Sequence, residues 1–259
     1  MTRTAQQSSR QRVPQSFPYV LMYHSVSEYT EDPYLVTVEP ARFERQLRWL
    51  RARGCTGVSM RELLAARRAG RGRGLVGLTF DDAYTDFADT VFPLLRRYGW
   101  TATVFVISGM MGGHNAWDPA GPRKPLMTED EVARVAAGGM EIGSHSVLHR
   151  RLTTLDQAEL AAEVGKSRPM LQALSGQPVN GFCYPYGGVD AAVVSAVREA
   201  GYDYGCAIWR SELSGTHALP RTYVGDRDGT LRLDAKRVRH GLRATRAAEI
   251  PAPRFLRFR

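Results

Sequence analysis

In 259 residues the chain has no apolar run near the roughly 20 residues that a membrane-crossing helix needs. Cysteine is scarce. Cys55, Cys183 and Cys206 are an odd number, far apart and without CxxC spacing. That excludes a disulfide framework and a structural zinc knot, and leaves buried free thiols as the expectation. The stretch from Met1 to Gln15 lacks the apolar segment of a secretory signal, so a cytoplasmic location is expected. Lysine is rare too, at three of 35 basic residues. The 43% hydrophobic and 24% charged composition belongs to a soluble globular chain rather than a disordered or fibrous one.

The net charge of +9 raises the question of a nucleic-acid partner, and its placement answers it. Residues 1–16 carry three Arg and no acid, and residues 232–259 carry eight Arg and Lys236 against Asp234 and Glu249. Residues 17–231 hold 23 basic and 24 acidic side chains, so no basic groove within the fold and no nucleic-acid partner are expected. Three regions follow: a disordered basic tail at 1–16, one folded domain at 17–231, and a basic, partly helical tail at 232–259. At the start of the last, Leu231, Ala235, Val238 and Leu242 would share one face of an amphipathic helix, with Arg and Lys opposite. That pattern suits weak peripheral contact with an anionic membrane, and a solvated tail is the plainer alternative.

Periodicity predicts a regular alternation. Phe17 to Ser25 reads as a buried strand, Pro40 to Arg53 as a helix with Phe43, Leu47 and Leu50 on one stripe, and Ser59 to Ala69 as a second, capped helix. Leu75 to Phe80 is a short apolar strand, Asp86 to Tyr98 a helix and Thr101 to Ser108 a β-branched strand. A Gly/Pro-rich loop at Gly109 to Pro125 is long enough to border a site. Then come a helix from Thr128 to Ala137, a strand from Met140 to Ser144, a helix from Leu155 to Leu174 and a strand from Val179 to Tyr184. Asp190 to Ala200 is helical, Tyr204 to Ile208 a strand, and Leu219 to Val224 the last strand. Strands alternating with helices of this length build a parallel sheet, and about seven such units predict an α/β barrel.

In such folds chemistry gathers at the C-terminal ends of strands. Three polar clusters sit there: Thr79-Phe-Asp-Asp82, Ser144-His145-Ser-Val-Leu-His149, and Phe182-Cys-Tyr-Pro-Tyr-Gly187. Asp81 and Asp82 leave an apolar strand together and cannot both be buried as anions without cations or donors nearby. Taken alone, the pair could equally cap the next helix. His145 and His149, four apart, can reach one ion, and with Asp82 they make a set of two imidazoles and a carboxylate that leaves positions open for water and substrate. A DxD phosphatase is excluded, because Ala83 stands where the second Asp belongs.

The three motifs, in this order, resemble the polysaccharide deacetylase family, also described as the NodB-homology or carbohydrate esterase family 4 domain. The likeness covers roughly Val20 to Val224. It implies a distorted (β/α) barrel, a divalent metal, most often Zn2+ with Co2+, Ni2+ or Mn2+ as alternatives, and an N-acetylated carbohydrate substrate. Carried over by position, it implies that Asp81 is the base, that Asp82, His145 and His149 are the metal ligands, and that the backbone N–H of Tyr186 helps hold the oxyanion.

Two departures stand out. Many relatives have an Arg that pairs with the base where this chain has Cys183; Arg221, in Leu219-Pro-Arg-Thr-Tyr-Val, is the candidate replacement from a later strand end. The Leu-x-His motif of the general acid is absent, and His217 lies in roughly the right stretch to replace it. His24, ending the first strand in Met22-Tyr-His-Ser25, is expected to line the pocket floor. Tyr184, Asn115, Trp117 and Asp118 are candidates for contact with sugar, and Trp209 is a weaker one. His114 and His240 read as surface residues. Two alternatives to an N-deacetylase remain: a carbohydrate-binding barrel without turnover, and a hydrolase of a non-sugar amide.

Overall fold

The apolar run after Phe17 becomes a strand, Val20–Tyr23 (β1), and all four of its residues are buried. In the computed structural model, which describes residues 17–244, it is followed by Ser25–Val26 (β2), Thr37–Val38 (β3), Pro40–Ala52 (α1), Thr56–Val58 (β4), Met60–Arg68 (α2) and Leu75–Phe80 (β5). Phe92–Tyr98 (α3), Thr103–Val106 (β6), Glu129–Ala137 (α4), Glu141–Ser144 (β7), Gln157–Gly165 (α5), Ser167–Ser175 (α6) and Gly181–Cys183 (β8) come next. Ala191–Glu199 (α7), Tyr204–Cys206 (β9), Thr222–Tyr223 (β10) and Thr230–Ala244 (α8) complete the order.

The main sheet runs β10-β1-β5-β6-β7-β8-β9, with β4 on the first half of β5, and every strand pairing in it is parallel. It curls. Val20, Phe105 and Cys206, from strands far apart in that order, meet in one buried cluster, which a flat sheet with strands about 4.8 Å apart could not allow. The segment leading into β10 bridges the two edges: Leu219 pairs with Cys206 of β9, and Leu21 of β1 pairs with Thr222. The architecture is thus the parallel (β/α) barrel expected, distorted by strands as short as two residues.

Two apolar layers follow from the period of the strands. Leu21, Tyr23, Leu78, Phe80, Phe182 and Tyr184 point outward to the helices and join the large core. Val20, Phe105, Cys183, Tyr204 and Cys206 point inward, where Met60 and Leu63 of α2 pack against them. Interior crowding explains two glycines: a Cβ on Gly143 would lie 2.4 Å from Phe105 Cδ1, and one on Gly181 2.2 Å from Tyr204 Cζ.

Proline sets two helix boundaries that periodicity does not show. The run expected from Leu155 to Leu174 divides at Lys166, because Pro169 cannot donate to the carbonyl of Gly165. The helix expected from Asp86 starts as a π-helical turn, Phe87–Val91, just before Pro93, where the Phe92 N–H bonds back to Phe87. β4 and the β2–β3 pair were not expected; at two or three residues each, they are too short to show a period. At the other end, α8 crosses the boundary drawn at 231, and Leu233 within it is buried against the barrel. His240, expected at the surface, is half-buried, with its ring 4.8 Å from Tyr19. Residues 1–16 and the end of the tail from 245 lie outside the described residues. No helix among the described residues is long and apolar enough to cross a membrane.

Candidate active site

Six non-glycine residues among those described have positive φ, and five of them are Asp82 (70°), Ala83 (58°), Ser146 (66°), His149 (56°) and Tyr186 (57°). They fall in or directly after the three polar clusters at the ends of β5, β7 and β8. Such conformations cost of order 1–3 kcal/mol each and persist only where the surroundings enforce them. At Asp82 the reason is visible. Thr79 and Asp81 face inward by strand alternation, which would send Asp82 outward; the left-handed turn brings it back beside its neighbour.

Asp81 and Asp82 meet different partners. Arg221 enters from the segment between β9 and β10 and donates from Nη1 to Asp81 Oδ1 (2.7 Å) and from Nη2 to Asp81 Oδ2 (2.8 Å). Its other donors go to Thr79 Oγ1 (3.0 Å), Ala207 O (3.1 Å) and Cys183 Sγ (3.1 Å), so all five guanidinium hydrogens are used. Cys183 is therefore a neighbour that accepts from the guanidinium. Burial pushes the Asp81 carboxyl up, but the charge and hydrogen bonds of Arg221, with His24 and His145 adding, hold it well below the usual carboxylate range. Asp81 is a fixed anion.

Asp82 faces imidazoles. Its Oδ1 lies 3.3 Å from His145 Nε2 and 3.4 Å from His149 Nε2, and all three side chains are buried. His145 Nδ1–H donates to the Cys183 carbonyl (2.8 Å), which turns Nε2 toward Asp82. Burial takes His149 down to about 3, so it is neutral, whereas Cys183, Asp82 and Asp81 raise His145 well above its ordinary range against its own burial. Asp82 Oδ1 itself is buried without a hydrogen-bond donor among the described residues. Asp82 Oδ1 and the two Nε2 atoms thus converge within 4.8 Å of one another. Donors about 2.0–2.1 Å from one ion at the tetrahedral angle stand roughly 3.3–3.4 Å apart, so the separations suit a divalent cation. A second set, Asp81, His145 and Cys183, also brings its donor atoms within 4.8 Å, but Arg221 already holds both oxygens of Asp81.

Around this centre His24 points inward from the end of β1, its Nε2 3.8 Å from Asp81 Oδ2. Trp117 from the long loop and Tyr186 lie on His149 at ring distances of 4.5 and 4.6 Å, and Arg151 covers Tyr186 at 4.1 Å. Half-buried Asp118 is raised to about 6 by burial, then by Asp82 and Asp32.

Residues 68–205 match the polysaccharide deacetylase family, more than half of the chain. The chain belongs to that family. It is similar to YxkH of Bacillus subtilis strain 168, at 28% identity over 210 residues, covering 79% of this chain and 70% of that protein. It also resembles the poly-beta-1,6-N-acetyl-D-glucosamine N-deacetylase of Staphylococcus aureus strain MSSA476 (23% identity, 73% of this chain, 68% of that one). Among solved structures, the Streptococcus pyogenes deacetylase PplD in complex with acetate superposes with a TM-score of 0.75 at 23% identity, covering 86% of this chain and 99% of the other. IcaB from Ammonifex degensii gives 0.69 at 22%, covering 85% and 97%. At these identities the two structures speak for the fold.

Within this member of the deacetylase family, three expected site residues are placed elsewhere. The segment carrying His217 runs parallel to β9 and starts beside its N-terminal end, with His217 Nε2 bonded to Tyr202 O (2.9 Å). Four extended residues at about 3.3 Å each separate it from Arg221, so it lies at the wrong end of the strand to serve the mouth. Tyr184 shares the outward face with Phe182, is buried, and donates its hydroxyl to the His217 carbonyl. Asn115 is a brace within its loop: Nδ2 donates to Pro122 O (3.1 Å) and Oδ1 accepts from Lys124 N (2.7 Å). The weaker candidate, Trp209, is half-buried just after β9.

One contributor went unforeseen. Glu163, buried in α5, accepts from the N–H groups of Val147 (3.0 Å) and Leu148 (2.9 Å), and so pins the loop between the two histidines. Ser146 Oγ accepts from His149 N (3.1 Å) in the same loop. No motif marks an acid fourteen residues downstream on a helix. Glu163→Ala should weaken zinc retention by about 10–100-fold in a chelator competition, as loss of outer partners does. Glu163→Gln, which keeps one acceptor oxygen, should lose less.

Proposed function

We propose that this chain is a metal-dependent carbohydrate N-deacetylase, hydrolysing the N-acetyl amide of an amino sugar and releasing acetate. The observation that carries this reading is the split between two adjacent carboxylates, Asp81 held by a guanidinium and Asp82 turned toward two imidazoles. The named activities of the relatives, one acting on poly-N-acetylglucosamine, support the same substrate class. Asp82, His145 and His149 would hold the ion, and zinc suits this mixed nitrogen and oxygen set. When bound there, a divalent ion supplies Lewis acidity, polarising the amide carbonyl and lowering the pKa of water.

The residues of the chain divide the remaining work. Asp81, ionised and oriented by both of its oxygens, takes the proton from the attacking water. His24 replaces His217 as proton donor to the leaving amine, since its imidazole faces the Asp81 carboxylate from the inner end of β1. The backbone N–H of Tyr186 serves the developing oxyanion from a turn whose φ of 57° re-aims the chain. Trp117 and the Tyr186 ring offer the sugar an aromatic wall. A second partner, an anionic membrane surface, is a separate proposal that rests on α8 alone.

Zinc-loaded protein should release acetate and free amine in equal amounts from N-acetylglucosamine oligomers. Binding of oligomers without acetate would instead mark a sugar-binding barrel. Asp81→Asn should lower kcat by about 10²–10⁴-fold and keep its zinc, whereas Asp82→Asn should lose the metal. Loss of zinc from both would show that the two roles are not divided.

Arg221→Lys tests the base more finely. Removing the planar fork weakens the contact that favours ionised Asp81, so its pKa must rise. The reaction needs that carboxylate ionised, so the acid limb of the kcat/KM profile should move to higher pH. Arg221→Ala should move it further and also cost about 3–5 kcal/mol of stability, as breaking a buried pair does. An unmoved acid limb in the Lys variant would separate Arg221 from the base.

A further inference from the structure

Helix α8 is held to the barrel along one side. Leu233 is buried, Lys236 pairs with Asp228, and His240 Nε2 meets the Phe17 carbonyl at 3.2 Å. These three positions, at i, i+3 and i+7, share one face of a helix. Asp234 adds a clasp from the edge, pairing with Arg53 and accepting from Trp49 Nε1 (3.2 Å).

The opposite face is apolar, and its large side chains are exposed. Leu231, Ala235, Val238 and Leu242, at i, i+4, i+7 and i+11, form a stripe, and Leu231 is 85%, Val238 61% and Leu242 64% exposed. No other large hydrophobic among the described residues is as exposed as these three. Arg232 and Arg239 are exposed and sit about 80–100° round the helix from Leu231, so they border the stripe on one side. The sequence beyond α8 continues the pattern, with Arg254, Arg257 and Arg259 interleaved with Phe255, Leu256 and Phe258. Thr230–Ala244 carries five basic residues against Asp234, while 17–231 is near neutral.

This combination selects its partner. A protein interface needs about 1,000 Å² or more around aromatic anchors in a pocket, and a single convex helix face one side chain wide offers neither. Two copies of so basic a helix would repel. An apolar stripe bordered by arginines, whose long stems reach up to phosphates while the stripe enters the acyl boundary, matches an interfacial helix.

We propose that α8 docks the barrel on an anionic lipid surface, with Leu231, Val238 and Leu242 in the bilayer interface and Arg232 and Arg239 on lipid phosphates. The helix starts next to β10 at the mouth and runs back to Phe17 and Tyr19 at the closed end, so its axis follows the barrel axis. Docked this way, the barrel lies on its side and the mouth opens along the membrane plane. The inference does not depend on the catalytic reading.

Vesicle co-sedimentation of the full chain tests it, with phosphatidylcholine alone and with about 30% phosphatidylglycerol added. Binding should be at least about tenfold stronger to the anionic vesicles and fall as salt rises. Leu231→Ser with Val238→Ser should weaken it about tenfold or more, and Arg232→Glu with Arg239→Glu should abolish it. Both pairs replace exposed side chains, so thermal melts should not move. Three results would overturn the proposal: equal binding to both vesicles, anionic binding lost only when Arg254, Arg257 and Arg259 are changed to Ser, or a dimer that the Leu231→Ser, Val238→Ser variant splits without any vesicle binding.

Discussion

Two carboxylates leave one strand end side by side into a space nearly closed to water, and each needs a positive partner of its own. Asp81 and Asp82 are 3% and 4% exposed, so neither can rely on solvent to hold its charge. Arg221 answers for the first through a fork that also ties Thr79, Ala207 and Cys183 together. Two imidazoles converge on the second, where a dication would complete the balance. Much of the barrel mouth is arranged by this division. The inward strand residues Thr79, Cys183 and His24 are those that surround the Asp81 pair, and the turn at Asp82 exists to point its oxygen the other way.

That arrangement is held under backbone strain and braced from behind. Five left-handed non-glycine residues sit in or directly after the three polar clusters at the strand ends. The braces are ordinary side chains on helices and strands: Glu163 on the loop between the histidines, and Ser144 bonded to Ser167 beneath it (2.7 Å). A site built this way is preorganised, since ligands locked by their surroundings need no rearrangement as charge develops. Glu163 would thus set metal affinity through the backbone, without touching the ion.

Strand ends, clusters and barrel class are legible in the sequence because they rest on local signals: apolar runs of four to six residues, punctuation by Gly and Pro, and polar residues directly after the runs. The gathering of Asp81, Asp82, His145, His149 and Arg221 at one mouth follows from strand parity and parallel order. His217 misleads because its number suggests the mouth while the chain has first returned to the start of β9. Tyr184 misleads because it sits beside a site residue yet on the other parity. Asn115 has the chemistry to contact sugar, but its own loop consumes both ends of the amide. Glu163 and the positive φ values leave no local mark, since both depend on packing between elements distant in the chain.

The central claim is the division of labour between the neighbouring carboxylates, and anomalous diffraction from zinc-loaded crystals, measured on either side of the zinc edge, tests it most directly. The account predicts one ion bonded to Asp82, His145 and His149 at about 2.0–2.2 Å, with Asp81 outside the coordination sphere and still paired with Arg221. An ion held instead by Asp81, His145 and Cys183, with Arg221 displaced, would contradict it.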